Sequence, residues 1–232
     1  MLRHLARAAC VLGILGILGI TAGSALAGDV SGRLDLPAPP SLPAPAYKGF
    51  LERAENASLA PKAFDPTPYL VVVLVPATAP TTAAGSASWD LGGDSFTVPL
   101  LPVRTGAEVT IKNKSKRAVS LAAGDATLIP AGPINPGGTR PFTPGTAGLI
   151  VVTGDADLPH LRGRLLVVDS PYFALPDGQR RFTIKDVPAG EYTVRVWYLD
   201  GWIDRPDDTM TMPGKGDATV APKVTAYKTK AS

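Results

Sequence analysis

Beyond residue 68 the chain alternates short apolar runs with turn-forming clusters. Tyr69-Leu70-Val71-Val72-Val73-Leu74-Val75 is apolar at every position, the pattern of a strand covered on both faces. Residues 108–112 ("EVTIK") set Val109 and Ile111 on one face, and residues 191–198 set Tyr192, Val194, Val196 and Tyr198 against Thr193, Arg195 and Trp197. The same reasoning predicts strands over 96–103, 118–122, 126–129, 148–153, 164–168 and 182–184. Turns are signalled between them by Gly92-Gly93, Pro136-Gly137-Gly138, Pro144-Gly145, Asp177-Gly178 and Pro188-Ala189-Gly190. No helical period follows residue 60. Short strands with frequent turns predict an all-β antiparallel sandwich or barrel.

The flanks read differently. Residues 38–68 are rich in proline and alanine, which predicts an extended surface segment, with two helical turns over 48–57. The tail from residue 217 has the pattern of one more strand. At the start, Arg3 and Arg7 precede an apolar run from Ala8 to about Ala22, and Ala25-Leu26-Ala27 closes it. A basic start, an apolar core and an Ala-x-Ala exit predict an export signal cleaved after Ala27. The run is shorter than the ~20 residues of a membrane span, so no stable anchor is expected after cleavage. The expected organisation is a signal over 1–27, a first strand with the Pro/Ala-rich segment over 28–68, one sandwich over 69–200, and a C-terminal extension over 201–232. The mature protein would be periplasmic or extracellular.

Charge and cysteine narrow the function. Losing Arg3 and Arg7 leaves 21 Lys+Arg against 20 Asp+Glu. A near-neutral chain makes no electrostatic case for nucleic acid. The single cysteine, Cys10, leaves with the signal, so the mature chain has neither disulfide nor thiolate.

Several side chains invite chemical readings. His160 is the only histidine after cleavage, in "DADLPHLRG". With Asp157 and Ser95 it would mimic an esterase, but no strand-to-helix turn is available to present the serine. Met210 and Met212 with one histidine make a poor soft-metal set. Asp204, Asp207 and Asp208 lack the ligand order of a calcium loop. Trp197, Tyr198 and Trp202 cluster within six residues. Exposed, they would form a stacking platform for a sugar or peptide; buried, they would plug the end of the sandwich.

Taken in order, "TGAEVTIKNKS", "PGGTRPFTPGTAGLIVV" and "DADLPHLRGRLLVVDSPYFALPDGQRRFTIKDVPAGEYTVRVWY" resemble exported plastocyanin-like (cupredoxin) proteins of the methylamine-utilisation type. The resemblance spans Tyr69 to Tyr198, with "GDVSGRLDLP" as the family's first strand. Its closing hairpin pattern is also found in transthyretin-like domains. The implied fold is a Greek-key antiparallel β-sandwich, cupredoxin-like. Carried over position by position, the copper ligands are gone. Asn113 matches the family's asparagine, yet the first histidine falls at Ala118 or Val119. Pro159 and Gly163 align with the ligand loop, where cysteine becomes Asp155, histidine becomes Leu158 and methionine becomes Leu161. His160 falls at a variable position.

The expectation is therefore a non-enzymatic structural or binding module with no cofactor and no metal. Its partner would be a protein or envelope component, contacted through Trp197, Tyr198, Trp202 or His160. Other readings are a carbohydrate-binding sandwich, a copper protein completed by a partner's ligands, and an esterase.

Overall fold

A computed structural model describes residues 27–38, 65–125 and 127–230. The export signal and the helical turns expected over 48–57 lie outside the described residues, apart from Ala27. The chain is all-β. Among the described residues the only helical piece is a 3-10 turn at Thr67–Tyr69.

The strands run in order β1 (Ala27–Arg33), β2 (Leu70–Pro76), β3 (Ser86–Gly92), β4 (Ser95–Phe96), β5 (Leu100–Arg104) and β6 (Glu108–Asn113). Then follow β7 (Val119–Ala123), β8 (Pro133–Ile134), β9 (Thr139–Phe142), β10 (Gly148–Gly154), β11 (Arg162–Val168) and β12 (Tyr172–Ala174). The last are β13 (Arg181–Pro188), β14 (Gly190–Tyr198), β15 (Gly201–Ile203), β16 (Asp208–Met212), β17 (Ala218–Val220) and β18 (Thr229–Lys230).

They form four sheets, ordered β13-β1-β17, β12-β2-β14-β15-β18 with β16 also on β14, β5-β11-β10-β7-β8, and β4-β3-β6-β9. Three apolar clusters stack these sheets as four layers. In one, Val30, Phe182 and Ile184 meet Leu70, Val72, Val194 and Tyr198. In the middle one, Val71, Val73 and Trp197 meet Leu100, Leu166 and Val168. In the last, Leu165, Val167 and Val152 meet Trp89, Leu91, Val109 and Ile111. Successive side chains on a strand point to opposite faces. In the two inner layers both faces are therefore covered, which is why β2 and residues 165–168 of β11 are apolar at successive positions.

This arrangement differs from one sandwich over 69–200. Strands β3 to β11 build one sandwich, inserted between β2 and β12 of another. That other sandwich is assembled from β1, β2 and β12–β18. Strand β1 pairs with β13 and β17, so "GDVSGR" belongs to it, as does the hairpin "RRFTIKDVPAGEYTVRVWY". The pairing is also not wholly antiparallel: β1–β17, β3–β6 and β5–β11 run parallel. Such pairs need crossovers rather than tight hairpins. The strand expected over 96–103 divides into β4 and β5, and residues 127–129 turn instead of extending.

Candidate functional site

The loop between β10 and β11 carries the residues that the sequence brought forward. It winds tightly. Leu158 N–H donates to the Asp155 carbonyl (3.0 Å), Leu161 N–H to the Leu158 carbonyl (3.0 Å), and Gly154 N–H to the Leu161 carbonyl (3.0 Å). The Asp155 carboxylate accepts the N–H of Asp157 at 3.1 Å. Leu158 and Leu161 are buried in the same cluster as Val119. A Cβ on Gly154 would stand 2.6 Å from the Leu158 carbonyl oxygen, and one on Gly163 would stand 2.5 Å from the Trp89 and Phe96 rings. Those two rings stack at 3.9 Å, and the Trp89 indole N–H donates to the Val98 carbonyl (2.8 Å). The two glycines let the loop fold down onto this floor.

Asn113 holds the facing loop. It is fully buried. Its amide donates to the carbonyls of Arg117 (2.8 Å) and Ile134 (2.7 Å). Its oxygen accepts the N–H (2.9 Å) and the hydroxyl (2.6 Å) of Ser115. All its hydrogen-bonding capacity is used. Ala118 is exposed and Val119 buried.

The donor set here does not fit copper. The positions that the cupredoxin pattern gives to imidazole and thioether hold hydrocarbon, and the one given to thiolate holds an exposed Asp155. Copper of that type requires a thiolate beside two imidazoles. His160 projects outward, with 61% of its side chain exposed, and its Nε2 lies 3.8 Å from an Asp94 carboxylate oxygen. Asp94 also pairs with Arg117. No hydrogen bond joins His160 to Ser95 or to Asp157, so the Ser95–His160–Asp157 constellation is not assembled. Among the described residues no three His, Cys, Asp or Glu side chains converge on a common point. Asp204 pairs with Lys230 (2.8 Å), Asp207 with Arg195 (3.9 Å) and Asp208 with Arg205 (2.7 Å). The Lys230 hydrogen bond holds the Asp204 carboxyl below its usual range. Met212 is buried in the β1/β14 core and Met210 packs against it.

The aromatic cluster sits where the two sandwiches meet. Trp197 and Trp202 are cross-strand partners on β14 and β15, edge to face at 5.1 Å. Trp197 is 1% exposed and donates its indole N–H to the Leu199 carbonyl (3.0 Å). Trp202 is half-buried, and the Arg195 guanidinium lies over its ring at 4.2 Å. Tyr198 is buried on the opposite face of β14 against Tyr227, at 5.0 Å, and burial pushes its phenol pKa up. The two tryptophans thus do not stand exposed side by side: Trp197 is buried and Trp202 half-buried. A cleft of about 240 Å³ opens beside them, bordered by Val75, Val168, Asp169, Ser170, Arg195 and Trp202.

Two residues outside the expected set shape these regions. Trp89 floors the loop between β10 and β11; its signal was the Trp-x-Leu alternation just before Gly92-Gly93. Arg205 is nearly buried and donates to the carbonyls of Lys223 (3.1 Å) and Val194 (3.3 Å). No local pattern predicts that role, because its acceptors lie 11 and 18 residues away.

No protein-family model matches the chain, and no curated protein matches it. Solved structures do. A purple cupredoxin from Nitrosopumilus maritimus is 16% identical over 35% of this chain and 99% of its own, with a TM-score of 0.32. A reduced amicyanin mutant is 19% identical over 42% of this chain and 98% of its own, at 0.33. An oxidised amicyanin mutant is 20% identical over the same shares, at 0.32.

Proposed function

We propose that this protein is an exported, non-enzymatic binding module in which a cupredoxin-like sandwich has lost its copper site and serves as scaffold. The supporting observation is the packing of Leu158 and Leu161, at positions that the copper pattern gives to ligands, into one buried cluster with Val119. Hydrocarbon there stabilises the loop without metal. Ligands from a partner chain would find no donor beside them to complete a site.

The test is copper(II) titration of the mature protein, followed by visible absorption and by thermal unfolding. The expected result is no intense thiolate-to-copper band and an unchanged Tm. A saturable intense band, or a Tm that rises with copper as ligand binding to the native state requires, overturns the proposal.

A further inference from the structure

The outer face of the β13-β1-β17 sheet carries a groove whose lining includes Asp177 and, from the edge of the core cluster, Phe182 and Val220. Val30, Phe182 and Ile184 face the core, so alternation sends Ser31, Arg33, Arg181 and Thr183 outward. The register sets Thr183, Ser31 and Thr219 side by side across three strands. The result is a row of hydroxyl groups. Gly32 sits beneath this row, where a Cβ would stand 1.9 Å from the Val220 carbonyl oxygen. Only glycine lets β17 approach β1 so closely.

Two residues further along β1, Arg33 lies directly opposite Arg181. Like charges facing each other across antiparallel strands repel. Arg181 is compensated: the Asp177 carboxylate accepts its Nε–H and its backbone N–H, at 3.1 and 2.8 Å. Arg33 has no carboxylate partner among the described residues. The groove measures about 770 Å³, and Leu175 forms one wall. At 37% exposure, Leu175 is the one large apolar side chain among the described residues that stands open to solvent.

We propose that this groove binds an acidic glycan strand. Arg33 takes a sugar carboxylate, since a guanidinium forks onto two carboxylate oxygens. The Thr183–Ser31–Thr219 row exchanges hydrogen bonds with sugar hydroxyls, and Leu175 packs on the C–H face of a ring. A lipid surface fits less well, because membrane association needs a broad apolar face and Leu175 stands alone. The groove belongs to the sandwich that has no metal-type loop, so its test is independent of the copper titration.

Affinity electrophoresis of the mature protein through gels containing polygalacturonate, against neutral dextran, tests this. Polygalacturonate retards the protein, dextran does not, and added salt weakens the effect. Arg33→Gln weakens binding about tenfold or more, as loss of a charge-assisted hydrogen bond requires. Thr183→Val weakens it with circular dichroism unchanged, whereas Lys185→Gln, outside the groove on the same face, leaves it intact. The inference is overturned if polygalacturonate causes no retardation, or if Lys185→Gln weakens binding as much as Arg33→Gln. Sedimentation with phosphatidylglycerol vesicles, without retardation by polygalacturonate, also overturns it.

Discussion

Leu158, His160 and Leu161 are neighbours in one loop with opposite fates. Leu161 is fully buried and Leu158 nearly so, whereas His160 stands in solvent. Truncating a buried leucine removes its transfer free energy and leaves a cavity, so Leu161→Ala is expected to cost about 2–5 kcal/mol. His160→Ala, which removes only a long contact to Asp94, is expected to stay within about 0.5 kcal/mol. Urea unfolding of the two variants checks the pair, and comparable losses would contradict this placement of the loop. The burial of Leu158 and Leu161 was implied only by the resemblance, which aligns Pro159 and Gly163 with a loop whose ligands point inward. The Trp89–Phe96 floor beneath Gly163 was not, since it comes from strands about 70 residues away in the chain.

At the scale of elements, alternation read most strands well where both faces carry a clear signal. Strand β2 and residues 165–168 of β11 are apolar at successive positions because two different cores claim their two faces. Strand β3 was missed: "SASWDLG" is half small and polar, and only its pairing with β6 shows what Trp89 and Leu91 do. Residues 127–129 have the opposite history. Their apolar character reflects burial of Ile129 beneath a turn, stabilised by the Asp125 carboxylate accepting the Thr127 N–H at 2.9 Å.

A similar carboxylate turn leads into β13. The backbone N–H of Arg181, then that of Gln179 and the Arg181 guanidinium, hold the Asp177 carboxyl below its usual 3.8. A group whose folded-state pKa is lowered stabilises the fold fully above its unfolded value. That contribution is lost as pH falls through the folded value. Thermal unfolding should therefore show Tm dropping below about pH 4, with a shallower drop in Asp177→Asn. An identical acid slope in that variant would remove Asp177 from the account.

For the whole molecule the decisive contact is between the inner layers, where Trp197 packs among Val71, Val73, Leu100, Leu166 and Val168. An apolar junction of this kind couples two sandwiches that a polar one would leave free to move. The intact chain is expected to unfold in one calorimetric transition, with calorimetric and van't Hoff enthalpies equal. Trp197→Ala should lower stability by about 3–5 kcal/mol and raise that enthalpy ratio above one as the sandwiches uncouple. A ratio already above one in the unmodified protein would count against the junction.

Local pattern determined the all-β class and most strand positions, because both depend on residue type at short spacing. Tertiary structure decided the rest. A doubly buried strand does not reveal which two sheets cover it, so one sandwich and two interleaved sandwiches look alike in the chain. A tryptophan's exposure depends on what packs over it, and here Trp197 is closed in by β2, β5 and β11. The pairing of Arg33 with Arg181 likewise exists only once β1 lies beside β13, nearly 150 residues away, because charge opposition is a property of register and not of sequence distance.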